Sequence, residues 1–185
     1  MSEKLFIISG PSCAGEDSII KGLENYFPIE RVVTTTTRER RPGEIDGIDY
    51  YFISKEKFRE KLESNEFFEY AEQYNGNFYG VTFAEIGRVK SSARVGIWKI
   101  EYKGVISAKK VMPDIKAIFI NAPLEVLAAR MRRRDYATDE YIEERMAYTR
   151  EWLKHTDIYD YTVVNEEGKL LDAVAEVASI INSVQ

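Results

Sequence analysis

The chain has 185 residues, 44% of them apolar and 31% charged, with a formal net charge of −5, which is the make-up of one ordinary globular domain and excludes disordered, collagen-like and coiled-coil classes. No apolar run reaches the ~18 residues that a bilayer crossing needs, and the first ten residues lack the basic start and long apolar stretch of a secretory signal. With a negative total charge arguing against a duplex nucleic acid partner, the expectation is a cytoplasmic protein that binds neither membrane nor nucleic acid.

The apolar run at residues 5–8 predicts a buried strand, followed by a glycine-bounded loop and the helical spacing of Ile19, Ile20 and Leu23. Between Thr34 and Thr82 the pattern changes. Arg-Arg-Pro-Gly-Glu occupies residues 40–44, aromatic strand-like segments follow, and Asn75-Gly76 reads as a turn between residues 67–74 and 77–79. This stretch, about residues 34–84, predicts a small β-rich insertion with Tyr50, Tyr51, Phe52, Phe67, Phe68, Tyr70, Tyr74, Phe78 and Tyr79 as its miniature core. Further buried strands are predicted at residues 95–98, 117–120 and 161–164, each followed by a loop and a helical pattern, the alternation of an α/β domain with a parallel sheet. Thr138 is a good N-cap for a helix reaching about His155, with Asp139 and Glu140 placed to favour its dipole. Leu170, Val174, Val177 and Ile181 mark one stripe of the last helix. No repeat or linker divides the chain, so residues 1–185 form a single domain.

Three constellations carry chemistry. Gly10-Pro11-Ser12-Cys13-Ala14-Gly15-Glu16-Asp17-Ser18 lies between a strand and a helix. Glycines at both ends let backbone N–H groups curl inward, and the helix aims its positive dipole at the same point, so the loop suits phosphate. The Lys and Ser/Thr that usually complete such a loop, G-x-x-x-x-G-K-[ST], are Glu16 and Asp17 here. The second constellation runs Thr34-Thr35-Thr36-Thr37-Arg38-Glu39-Arg40-Arg41-Pro42-Gly43-Glu44, then Asp46-Gly47-Ile48-Asp49-Tyr50-Tyr51-Phe52. Arginines three apart, with tyrosine hydroxyls nearby, suit a terminal phosphate through forked, charge-assisted hydrogen bonds. The third is Arg130-Met131-Arg132-Arg133-Arg134, with Arg145 and Arg150 on the next helix. The lone cysteine, Cys13, lacks an internal disulfide mate, and the lone histidine, His155, leaves no parts for a His-rich metal site or Ser-His-Asp catalysis.

The second segment resembles guanylate kinase, whose pattern T-R-x-x-R-P-G-E-x-x-G-x-D-Y-x-F is met by Thr37, Arg38, Arg41, Pro42, Gly43, Glu44, Gly47, Asp49, Tyr50 and Phe52. The resemblance extends from Leu5 to about Asn165. It implies a P-loop kinase fold with a β-rich monophosphate-binding insertion and a helical lid at about residues 124–150. It also implies phosphoryl transfer from ATP, with Mg²⁺, to GMP, giving ADP and GDP. By the same resemblance Arg38, Arg41, Tyr50 and Tyr79 hold the GMP phosphate, Glu44 and Glu101 belong to the acceptor site, and Thr34 and Glu69 meet the guanine edge. Residues 10–18 and Asn165 serve ATP, and Arg134 and Arg145 are the lid arginines that close on the transferring group.

The sequence departs from the pattern at Val81, where a guanine-contacting Ser/Thr is usual and Thr82 is the neighbouring substitute. It departs again at Lys99-Ile100-Glu101, where Asp-Ile-Asp is usual. Residues 99 and 101 are expected on one side of a strand, facing the loop. Lys99 would then approach Glu16 or the ATP phosphates and restore the missing cation, while Asp17, with Glu101 through water, would help hold Mg²⁺. The alternative is an impaired guanylate-kinase-like module that binds GMP or a phosphopeptide. A third reading, ribose 1,5-bisphosphate phosphokinase, rests on Asp17-Ser18.

Overall fold

The computed structural model describes residues 5–72, 76–135 and 138–184, with the side chains of residues 134 and 135 excepted. In chain order the elements are β1 (Leu5–Ser9), α1 (Glu16–Leu23), β2 (Ile29–Arg31), β3 (Thr35–Thr36), β4 (Tyr51–Phe52), α2 (Lys55–Glu63), β5 (Phe67–Glu72), β6 (Phe78–Thr82) and α3 (Phe83–Ser91). There follow β7 (Val95–Lys99), α4 (Tyr102–Val111), β8 (Lys116–Asn121), α5 (Leu124–Asp135), α6 (Asp139–Trp152), a 3-10 segment (Leu153–Ile158), β9 (Tyr161–Val164) and α7 (Leu170–Val184).

Five parallel strands in the order β2-β7-β1-β8-β9 make the main sheet. All five residues of β1 are buried, as a central strand covered on both faces requires. One apolar layer packs α1 and α7 against the sheet through Ile19, Leu23, Val174, Val177 and Ile181. Leu170, expected on the same stripe, is 37% exposed and stays outside that core. The parallel sheet points its carboxyl ends at one edge, where the loop after β1, Lys99 and Asn165 gather.

The insertion forms a second sheet, β4-β3-β6-β5. The β5–β6 hairpin is antiparallel with a register shift between Phe67 and Glu69; its expected turn at Asn75 lies outside the described residues. Beside its four strands the insertion also contains α2, started by the Ser54 side chain accepting from the Lys57 N–H. The helix contributes Phe58, fully buried and stacked 4.2 Å from Phe67. Of the aromatics expected to form a miniature core, Tyr70 is exposed, and Phe68 instead joins the main core with its ring edge-on to Trp98 at 5.7 Å. Tyr74 lies outside the described residues. Helix α6 starts after Thr138, whose hydroxyl accepts from the Tyr141 N–H, and its α-helical part ends at Trp152.

Candidate active site

The loop after β1 is shaped by close approaches. A side chain at Gly10 would put its Cβ 2.3 Å from the Ile120 carbonyl oxygen, and Gly15 has a φ of +102°. Cys13 also takes a positive φ of 68°. The loop carbonyls are tied back: Asn165 Nδ2 donates to the Ala14 carbonyl at 2.7 Å, and Arg130 donates to the Cys13 and Ala14 carbonyls at 3.3 and 3.5 Å. Asn165, expected at the adenine edge, is therefore also a latch on the phosphate loop, with its Oδ1 buried and without a partner among the described residues. A cleft of about 500 Å³ opens beside the loop, lined by Gly15, Glu16, Ser18, Arg130, Asn165 and Leu170 among others.

The charges on this loop fall out differently from expectation. Lys99 Nζ donates to both carboxylate oxygens of Asp17, at 2.8 and 2.7 Å, rather than to Glu16. Arg31, at the end of β2, also reaches Asp17 at 3.1 Å. Partial burial alone would raise the Asp17 carboxyl, but Lys99 and Arg31 outweigh it and hold the group below its usual range. Glu16 is pushed up to about 7 by desolvation, despite the N–H groups of Glu16 and Gly15 and the nearby Lys99 charge, which favour its ionised form. The carboxyl of Glu16 thus draws on backbone donors that a phosphate would use.

Glu101 is not on a strand. β7 ends at Lys99, and Glu101 is the N-cap residue of α4. Its Oε2 accepts from the Tyr148 hydroxyl at 2.9 Å, linking the site to α6. Asp17 and Glu101 are oxygen donors of a kind that suits Mg²⁺, but Asp17 is engaged by two cations, and no group of three or more His, Cys, Asp or Glu forms a metal cluster among the described residues.

The insertion gathers most of the residues expected to meet the acceptor. Arg38 is held from three directions: it donates to Glu44 Oε1 at 2.7 Å and to the Glu39 carbonyl at 2.6 Å, and its guanidinium lies 5.3 Å from the Tyr50 ring centre. Arg38 also hydrogen-bonds Tyr79, whose ring stands edge-on to Tyr50 at 6.1 Å. Glu44 spends its second oxygen on the Arg41 backbone N–H at 2.8 Å, so its role here is to brace the arginine loop. Arg41 is exposed and Thr34 half-buried. Glu69, on β5, is half-buried with no hydrogen-bond partner among the described residues, and desolvation pushes its carboxyl up to about 7. Val81 is fully buried in the core. Thr82, the neighbouring hydroxyl, caps α3 by accepting from the Glu85 N–H, which leaves its own O–H free to donate.

On α6, Arg145 donates to the Ser12 hydroxyl of the loop after β1 and lies 5.9 Å from the Tyr148 ring centre. The Arg134 side chain lies outside the described residues. Two contributors were missed from sequence, Arg31 and Tyr148, while Arg130 stood in the basic run without being assigned to the loop it ties back. Arg130 had a signal, since it adjoins the buried Met131 and follows the buried Leu127 by three residues, a phase that turns it inward. Arg31 and Tyr148 had none.

The family model described as guanylate kinase matches residues 2–184. The chain belongs to the guanylate kinase family. A guanylate kinase of Clostridioides difficile is 40% identical over 181 residues, covering 97% of this chain and 87% of that relative. One of Symbiobacterium thermophilum is 37% identical over 179 residues, covering 96% and 83%. A crystal structure of guanylate kinase from Anaplasma phagocytophilum superposes with a TM-score of 0.73 at 25% identity, covering 99% of this chain and 87% of that one. A shikimate kinase from Acinetobacter baumannii, at 13% identity and TM-score 0.53, shares the fold. The guanylate kinase fold expected from sequence is thereby shown: an α/β domain whose five-stranded parallel sheet is flanked by helices. Among the described residues no helix is long and apolar enough to cross a membrane.

Proposed function

We propose that this guanylate kinase family member transfers the terminal phosphoryl group of ATP to GMP, giving ADP and GDP, in the cytoplasm. The observation that carries this reading is the acceptor constellation. Arg38, braced by Glu44 and flanked by Tyr50 and Tyr79, offers a forked cation to a monophosphate. Glu69 offers an acceptor without a partner, suited to the adjacent N1–H and amino donors of guanine. Thr34 completes the guanine edge, and Arg41 and Arg134 add positive charge at the phosphates.

No protein nucleophile is required, because phosphoryl transfer is positioning and charge neutralisation. The loop from Gly10 to Ser18 receives the donor phosphates, the 500 Å³ cleft beside Asn165 and Leu170 takes the nucleoside, and Arg145 is delivered by α6 to the loop it already touches. Mg²⁺ bound with ATP would neutralise charge on the donor phosphates, and Asp17 and Glu101 are the carboxylates of the right hardness to hold it. Lid closure around these groups excludes water and limits futile hydrolysis.

A coupled assay of ATP consumption with GMP, CMP, UMP and ribose 1,5-bisphosphate tests the reading. Turnover with GMP alone is expected. One observation favours a second reading, a module that binds GMP without transfer: the Glu16 carboxyl draws on the N–H donors of the phosphate loop. Heat of GMP binding with no ADP formed would select it.

A further inference from the structure

We propose that Lys99, delivered from the end of β7, is the cation that meets the donor's β and γ phosphates in this protein, and that Asp17 holds it in place until the donor arrives. The inference rests on the kinase reading above and adds to it the source of the positive charge that the loop itself lacks.

Four observations lead there. First, the loop presents carboxylates, Glu16 and Asp17, where a phosphate-binding loop ordinarily presents a lysine and a hydroxyl. Second, both oxygens of Asp17 accept from Lys99 Nζ, so the ammonium stands over the first turn of α1, next to the loop's own N–H donors. Third, Lys99 is electrostatically coupled to Glu16 on the donor side and to Tyr50 on the acceptor side. The Lys99 charge is thus felt both at the loop after β1 and at the insertion. Fourth, the pair is built to exchange. The Asp17 side chain is 65% exposed and that of Lys99 35%, and exposed ion pairs are weak. A polyphosphate carries more negative charge than one carboxylate, and the flexible four-carbon stem of lysine lets its head group swing without moving the strand. When Lys99 leaves, Asp17 keeps a cationic partner in Arg31 at 3.1 Å.

The test compares wild type, Lys99→Ala and the double variant Lys99→Ala/Glu16→Lys. Melting temperature serves as the folding control, calorimetry with a non-hydrolysable ATP analogue measures binding, and steady-state turnover is measured with GMP. Lys99→Ala should weaken the analogue about tenfold and lower kcat about a hundredfold, with GMP affinity and melting temperature near wild type. The double variant should recover most of both losses, because a lysine on the loop then supplies the charge. Unchanged analogue affinity and turnover in Lys99→Ala would overturn the proposal. So would losses that Glu16→Lys fails to repair, since a merely structural ion pair behaves that way. If wild type binds the analogue and Lys99→Ala does not, yet neither turns over GMP, the relocated cation stands and the kinase reading falls.

Discussion

Glu69 shows how one residue's surroundings set a measurable property of the site. Its carboxyl has no hydrogen-bond partner among the described residues, and desolvation lifts it from 4.5 to about 7. Guanine would supply the donors that the ionised form lacks. GMP binding should therefore favour the carboxylate, release a proton near neutral pH and weaken as pH falls below about 7. Calorimetry between pH 5.5 and 8 in buffers of differing ionisation heat checks this. Guanosine should be run alongside GMP, because the nucleotide's own phosphate titrates near pH 6. Glu69→Gln should flatten the slope and cost GMP affinity about 1–3 kcal/mol. The same group has a consequence for the free protein. An acid whose folded value is raised gives a stability contribution that is complete below about 4.5 and lost as pH rises through about 7. Glu69→Gln should accordingly reduce the fall in melting temperature between pH 4.5 and 7.5. Glu16, raised to about 7 through desolvation, acts in the same direction, but it is faced by Lys99, Asp17 and Tyr159, so its proton responds to whatever moves Lys99.

Among the elements, α1 and α7 meet where Gly22 leaves room. A Cβ at residue 22 would stand 2.6 Å from Val174 Cγ2, and a valine side chain is too stiff to turn aside cheaply. Gly22→Ala gains about 1 kcal/mol of helix propensity but forces overpacking that typically costs about 1–3 kcal/mol. A net loss of about 1 kcal/mol in chemical denaturation is expected. Gly22→Ala/Val174→Ala should lose less than the sum of its single variants, because the second change removes the clash. Elements differ in how plainly they are written in sequence, for reasons seen in particular residues. β1, β7, β8 and β9 are apolar runs and were legible, as were the Thr138 cap and the stripe of Val174, Val177 and Ile181. α2 was not: its segment, Lys55–Glu63, holds only Phe58 and Leu62 as apolar residues, and tertiary packing of Phe58 on Phe67 and Phe78 gives the helix its place. β2 is three residues long, too short for any period. The cluster of Arg38 with Glu44 and Tyr50 was legible through its spacing, whereas Arg31, Tyr148 and the latch role of Asn165 depend on contacts across 14 to 151 positions. Such contacts leave no local pattern.

At the scale of the whole molecule, the two sheets are joined by a shared core. Ile7 and Trp98 of the main sheet pack with Phe68 and Val81 of the insertion in one buried cluster. Glu85 adds a polar tie. Its buried carboxylate accepts from the Val33 N–H at 2.7 Å, the Tyr51 hydroxyl at 3.3 Å and Arg88, and it is held low because these donors outweigh its desolvation. An insertion fastened in this way should not melt by itself, and binding at its surface should be felt by the full domain. The chain offers its own reporters, since its two tryptophans, Trp98 and Trp152, are both buried and Trp98 lies in the seam. Thermal unfolding followed by tryptophan fluorescence and by far-ultraviolet circular dichroism should give coincident transitions. GMP at a hundredfold excess over its Kd stabilises the folded state by about 2.7 kcal/mol, and for a domain of this length that raises the melting temperature by about 5–10 °C. Both probes should move together by that amount. A GMP-induced shift in the fluorescence transition with an unmoved dichroism transition would mean that the insertion and the parallel sheet unfold as separate units, and that the core around Trp98 does not couple them.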